Sequence, residues 1–127
     1  MNEFLFWIYL INAIFLTIHE IESAYWQEWK MFKLKGGITG FLILHFPVLF
    51  LFLYGLVLVS QQTFEGYIIS LLLSFTGIFA FTIHMYFIKI KKREEFTMPI
   101  SVFILLGTLV LSLAQGIITI YLLVLQV

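Results

Sequence analysis

Four stretches of this chain stay apolar for about twenty residues or more, and together they leave almost nothing over. They cover roughly residues 4–24, 38–59, 67–90 and 99–127. At about 1.5 Å rise per residue, each is long enough to cross a hydrocarbon core of about 30 Å. A water-soluble domain of 127 residues has too little interior to hide a composition that is 62% hydrophobic and 11% charged. The connections between the runs are short, so neighbouring helices pack antiparallel. The pattern predicts an all-α membrane protein, with four transmembrane helices in an antiparallel bundle forming one transmembrane domain over residues 1–127.

Several function classes fall away at this level. There is no cysteine, which removes disulfides, thiolate ligands and thiol catalysis. No glycine-rich phosphate loop and no basic patch outside the loops is present, so nucleic acid is not an expected partner. Met1, Asn2 and Glu3 supply no basic segment ahead of the first run. That run is also too long for a cleaved signal peptide, and none is expected.

The charges orient the bundle. All seven basic residues, Lys30, Lys33, Lys35, Lys89, Lys91, Lys92 and Arg93, lie in the first and third connections. The second connection, SQQTFEG, has none, and neither terminus has any. The positive-inside rule places the first and third connections in the cytoplasm and both termini outside, in the inner (plasma) membrane. Tyr25, Trp26 and Trp29 fall where the first helix meets the headgroups and read as an aromatic belt. Gly36-Gly37 marks the turn into the second helix. Pro47 lies inside that helix and is expected to bend it, freeing a carbonyl near His45. The run KIKKREE reads as a solvated cytoplasmic turn attracted to anionic lipid.

With this topology the three histidines of the chain, His19, His45 and His84, fall in one layer near the cytoplasmic face, on three different helices. His19 and Glu22 are i, i+3 neighbours on one face, which Asn12, Ser23 and Trp26 extend. Glu20 points about 100° away, as a supporting or interfacial group. Ionisable side chains inside a membrane are costly and normally face a bundle interior or a wet cavity, so a site is the default expectation. The candidate metal ligands are His19, Glu22, His45 and His84, a set that suits zinc or iron. The candidate catalytic groups are His19, Glu20 and Glu22.

Competing readings of the same layer are a hydrogen-bonded network that locks helix packing, a metal-free acid–base site, a proton- or ion-coupled pathway, and haem held by His45 and His84. Haem ranks below zinc or iron. Asn12 and Gln115 lie at one depth, and a helix–helix hydrogen bond explains both. Gly107, Thr108 and Ser112 read as a packing seam.

At HEIESAYWQEW, His19 to Trp29, the chain resembles an uncharacterised family of small bacterial four-helix integral membrane proteins. Their signature is close to His-Glu-Ile-acidic-Ser-Ala-Tyr-Trp-x-Glu-Trp. The resemblance continues through GGITGFLILHFP and covers the first half of the chain well and the rest by hydropathy. It implies four helices and a site around His19, Glu20, Glu22 and His45, and it carries no activity. A second similarity is to membrane proteins with a His-x-x-Glu-Glu motif: His19 and Glu22 fit, but Ser23 stands where the second Glu belongs. A helix with His and Glu beside aromatics is also similar to the sterol-isomerase membrane fold, in which such groups move a proton on a lipid ring. Small four-helix transporters of dual topology are similar in size and in a first-helix Glu, but they lack a charge bias like this one.

The functional expectation is metal-dependent or acid–base chemistry on a hydrophobic, lipid-like substrate reached laterally from the bilayer. The alternative is a non-enzymatic membrane protein whose polar cluster binds a cofactor or ion, relays protons or locks packing. Membrane lipid and a hydrophobic small molecule are the expected partners, and homo-oligomerisation is left open.

Overall fold

The structure is a computed structural model, and it describes residues 1–91 and 94–126. Lys92 and Arg93, two of the seven basic residues of the topology argument and part of the KIKKREE turn, lie outside the described residues, as does Val127 at the end of the fourth apolar run. The elements are α1 (Asn2–Tyr25), α2 (Glu28–Met31), α3 (Gly37–Ser60), α4 (Phe64–Lys89) and α5 (Pro99–Gln126). Among the described residues there is no strand. Four of the five helices are long and apolar enough to cross a membrane, and the architecture is an all-α membrane bundle. The short α2 is an element that the hydrophobic pattern does not announce.

Long-range contacts fix the arrangement. α1 packs on α3 and α5, and α4 packs on the same two. α1 and α4 touch across a diagonal, while α3 and α5 occupy opposite corners and do not meet among the described residues. Side-chain bonds show the antiparallel register of α1 and α3. Tyr9 donates to the carbonyl of Phe52 at 2.6 Å, and Asn2 donates to Gln62 Oε1 at 3.0 Å. Tyr67, early in α4, donates to Asn2 Oδ1 at 2.9 Å, tying that helix to the same end.

The diagonal divides the interior into two wedges. On the α5 side runs a buried polar ladder. α5 buries Ser101, Thr108, Ser112, Gln115 and Thr119, spaced three, four or seven apart and so on one face. Asn12 donates to Gln115 Oε1 at 2.9 Å and to Ser112 Oγ at 3.0 Å, the contact expected from their common depth. Gln115 donates in turn to the carbonyl of Ser70 at 2.9 Å. Small hydroxyls let these helices come close, and their hydrogen bonds would have no water to replace them in a bilayer. The other wedge, bounded by α1, α3 and α4, holds the histidines.

α3 is the most apolar helix and the least buried, with only Phe52, Gly55 and Val59 fully enclosed. It carries Pro47 without interruption. Its start depends on Gly36 and Gly37, whose φ values of 106° and 57° are left-handed and favour glycine. At the opposite end Thr63 caps α4 by accepting from the Gly66 amide at 3.0 Å, which closes a tight α3–α4 hairpin.

Candidate metal centre

α1 ends where its backbone turns left-handed. Gln27 sits at φ 54°, ψ 55°, a conformation that costs a non-glycine residue about 1 kcal/mol or more. The chain then doubles back into α2 and brings Glu28 under the last turns of α1 and α4. Glu28 lies between Trp26 and Trp29 of the aromatic belt. It faces inward and is largely buried.

His19, Glu28 and His84 each present one ligand atom, and the three atoms lie within 4.8 Å of one another. His19 and His84 are almost fully enclosed, at 1% and 2% exposed. Their rings meet edge-on with centroids 4.4 Å apart. Phe96, from the α4–α5 connection, covers both, 4.4 Å from the His84 ring and 5.4 Å from that of His19.

Proton accounting makes the group informative. His84 Nδ1 lies 2.7 Å from the Ala80 carbonyl, one turn back. A carbonyl can only accept, so Nδ1 carries a hydrogen and Nε2 of the neutral ring is a bare lone pair. That Nε2 faces Glu28 Oε1 at 3.2 Å without hydrogen-bond geometry. Two acceptors this close repel unless a cation or a proton lies between them. Among the described residues, neither nitrogen of His19 has a hydrogen-bond partner. An unsatisfied buried polar atom costs about 1–3 kcal/mol. Burial pushes the Glu28 carboxyl up, but the His84 contact, a positive charge on His84 or His19 when either is protonated, and Ser23 outweigh it and leave the carboxyl below its ordinary value, the same preference for a cation at this spot. A carboxylate is the form a metal requires.

The donor set fits a divalent ion. Two imidazoles and one carboxylate form the protein ligands of catalytic zinc sites and of non-haem iron sites, both of which keep a coordination position open. Ligand atoms around a tetrahedral zinc sit roughly 3.4 Å apart, from bonds of about 2.1 Å. The three side chains would therefore close in slightly. His84 Nδ1, anchored to a backbone carbonyl, has the hydrogen bond that typically orients a ligating histidine.

The group lines a cavity of about 380 Å³ that also takes in Glu20, His45, Trp29, Phe32 and Lys35. All three histidines thus reach one cavity, but not as one ligand set. His45 Nδ1 is 2.7 Å from the Phe41 carbonyl, and its Nε2 is 2.6 Å from Glu20 Oε2. A contact that short between an imidazole nitrogen and a carboxylate contains a proton. The other Glu20 oxygen lies 4.0 Å from His19 Nε2. His45 and His84, taken together as haem ligands, turn Nε2 toward two different carboxylates.

Glu22 is elsewhere. Its carboxylate accepts from Trp26 Nε1 at 3.0 Å and from Ser101 Oγ, and so links α1 to α5. It does not line the cavity. The expected ligand set of His19, Glu22, His45 and His84 is therefore rearranged in space, with Glu28 beside His19 and His84, and Glu20 beside His45. The reason is angular. His19 faces the α3–α4 side, while Glu22, three residues on, has turned far enough to meet α5.

No curated protein and no solved structure matches the chain. One family model does, over residues 5–122, a span that runs through every element described above. On that match the chain belongs to the family of unknown function DUF6713.

Proposed function

We propose that the protein is a membrane-embedded metalloenzyme. In this reading His19, Glu28 and His84 would hold a zinc or ferrous ion at the wall of the cavity that they line, and the substrate is hydrophobic and enters from the bilayer. The observation that carries the reading is His19, an imidazole enclosed to 1% exposure with neither nitrogen hydrogen-bonded among the described residues, next to a histidine nitrogen and a carboxylate oxygen that face each other at 3.2 Å without hydrogen-bond geometry. A bound ion would polarise an oxygen-bearing group of the substrate. Around it, the protein's own groups do the rest. His84 is held in its ligating tautomer by Ala80, Phe96 keeps water from the ring faces, and the Glu20–His45 pair takes or returns a proton at the cavity wall.

Elemental analysis of detergent-purified protein is the test. About one zinc or iron per chain is the expected result, with loss on chelation. A well-folded protein that stays metal-free after incubation with both ions sinks the reading.

The sidedness belongs to the same proposal. The basic connections lie in the cytoplasm and the termini outside, so the metal cavity opens near the cytoplasmic face. With cysteines placed singly at Asn2, Lys33, Lys92 and Gln126, an impermeant thiol reagent added to whole cells should label the first and last but not the lysine positions. Labelling at Lys33→Cys alone reverses the orientation, and labelling at all four positions points to dual topology.

A further inference from the structure

We infer that the substrate is a single-chain acyl amphiphile whose carboxyl head lies in the His19/Glu28/His84 cavity and whose alkyl chain runs past the Glu20–His45 pair into the cleft between α1 and α3. This rests on the metal reading above and names what that site acts on.

A second cavity of about 130 Å³ lies between α1 and α3, walled by Leu16, Thr17, Val48 and Phe52. It shares Glu20, His45 and Thr76 with the metal cavity. Those three form a polar collar in a passage that is otherwise apolar. A shallower groove continues the cleft along the same two helices, sharing Ala13, Thr17 and Phe52. Its rims are Ile14, Ile18 and Leu53, which are 49%, 43% and 60% exposed. In a bilayer these rims meet lipid tails, so the cleft opens sideways into the compartment where acyl chains are dissolved.

The dimensions select one chain. From His45 to Leu56 the path follows α3 for roughly 16 Å, at about 1.5 Å per residue, long enough for an extended alkyl segment, and the cavity beyond the collar offers it only about 130 Å³. The metal cavity, at about 380 Å³, is near the small end of the ~300–1,000 Å³ range of ligand pockets, which suits a compact head. Chemistry selects the carboxyl. An open position on a divalent ion takes an oxygen donor, and Lys35 adds a cation to the cavity wall. Charge-bearing groups sit at one end of the path, and the other end is walled by aliphatic and aromatic side chains with one hydroxyl, Thr17, that donates to the Ala13 carbonyl of its own helix, the polarity pattern of an amphiphile.

The probe is palmitic acid carrying a diazirine at its terminal carbon, photolysed with the protein in nanodiscs and mapped by peptide mass spectrometry. Crosslinks should concentrate at Leu10, Ala13, Phe52 and Leu56, toward the far end of the path, with labelling of exposed Phe75 and Phe103 as the lipid-facing reference. Thr17→Phe and Val48→Phe, which fill the cleft from opposite helices, should each cut the cleft-to-reference ratio at least tenfold. Metal content should be unchanged, and it reports folding for each variant. Cleft labelling no stronger than the reference in the wild type, or indifferent to both variants when they retain metal, overturns the inference and leaves the metal reading standing. Cleft labelling that responds to the variants in a protein without metal supports the chain site and overturns the metal reading instead.

Discussion

Glu28→Gln is expected to strip the metal from the protein, while Glu22→Gln leaves it bound. Both glutamates lie in the same eleven-residue stretch, His19 to Trp29, and the pattern of that stretch favours Glu22 as the ligand. Of the two, the structure puts the Glu28 carboxylate within 4.8 Å of ligand atoms from both His19 and His84. Glutamine keeps the shape but removes the charge, and an amide oxygen is a poor ligand for zinc or ferrous iron. Losing an outer-shell partner costs about 10–100-fold in metal affinity; losing one of three ligands should cost more, enough to empty the site on purification. His19→Gln and His84→Gln should behave like Glu28→Gln. In Glu22→Gln the amide oxygen still accepts from Trp26 or Ser101, so the α1–α5 link is kept and metal content stays near one per chain. Metal analysis alongside thermal melting in detergent separates the outcomes. Metal lost from Glu22→Gln and kept in Glu28→Gln reverses the assignment.

Gly66→Ala should destabilise the bundle by about 1–3 kcal/mol, the range for overpacking, and Gly66→Val by more. Gly66 lies in the first turn of α4, where its amide meets the Thr63 cap. A methyl group there would collide with the Leu58 carbonyl and the Val59 amide nitrogen. Both obstacles are backbone of α3, which cannot rotate aside, so relief requires the whole α3–α4 hairpin to open. Opening it would also strain Tyr67, buried next door, and its bond to Asn2. The contrast is Gly40→Ala in the first turns of α3, where the new carbon meets only the Lys35 carbonyl, at 3.4 Å. Alanine gains up to about 1 kcal/mol over glycine in a helix, so that variant should be neutral or slightly more stable. Reversible unfolding in mixed micelles compares the two. Equal stability of Gly66→Ala and the wild type would falsify the close approach.

Length, hydropathy and the absence of competing patterns determined the architecture, because a run of apolar residues long enough to span a bilayer has one stable form when no water can satisfy its backbone. The Asn12–Gln115 bond was legible for a related reason. Two polar residues at one depth in an apolar bundle have few partners other than each other. The layer of histidines was legible too, since depth follows from position along a helix, and all three side chains reach one cavity.

Depth is not azimuth, and this is where the local pattern stopped. An i, i+3 spacing brought His19 and Glu22 to one broad face of α1, yet which neighbour each side chain meets depends on where α3, α4 and α5 stand around that helix. Glu28 was hidden more deeply. Nine residues after His19, a continuous helix would carry it half a turn around and roughly 13 Å further along the axis. Only the left-handed break at Gln27 returns it to the histidine layer. A glutamine at that position gives no turn signal of the kind that glycine or asparagine gives. The sequence by itself determined how many long apolar helices there are, how far they run and which polar groups share a level. The tertiary structure decided which carboxylate meets which imidazole, because that choice rests on helix rotation and on one reversal of the backbone, both set by packing among segments distant in the chain.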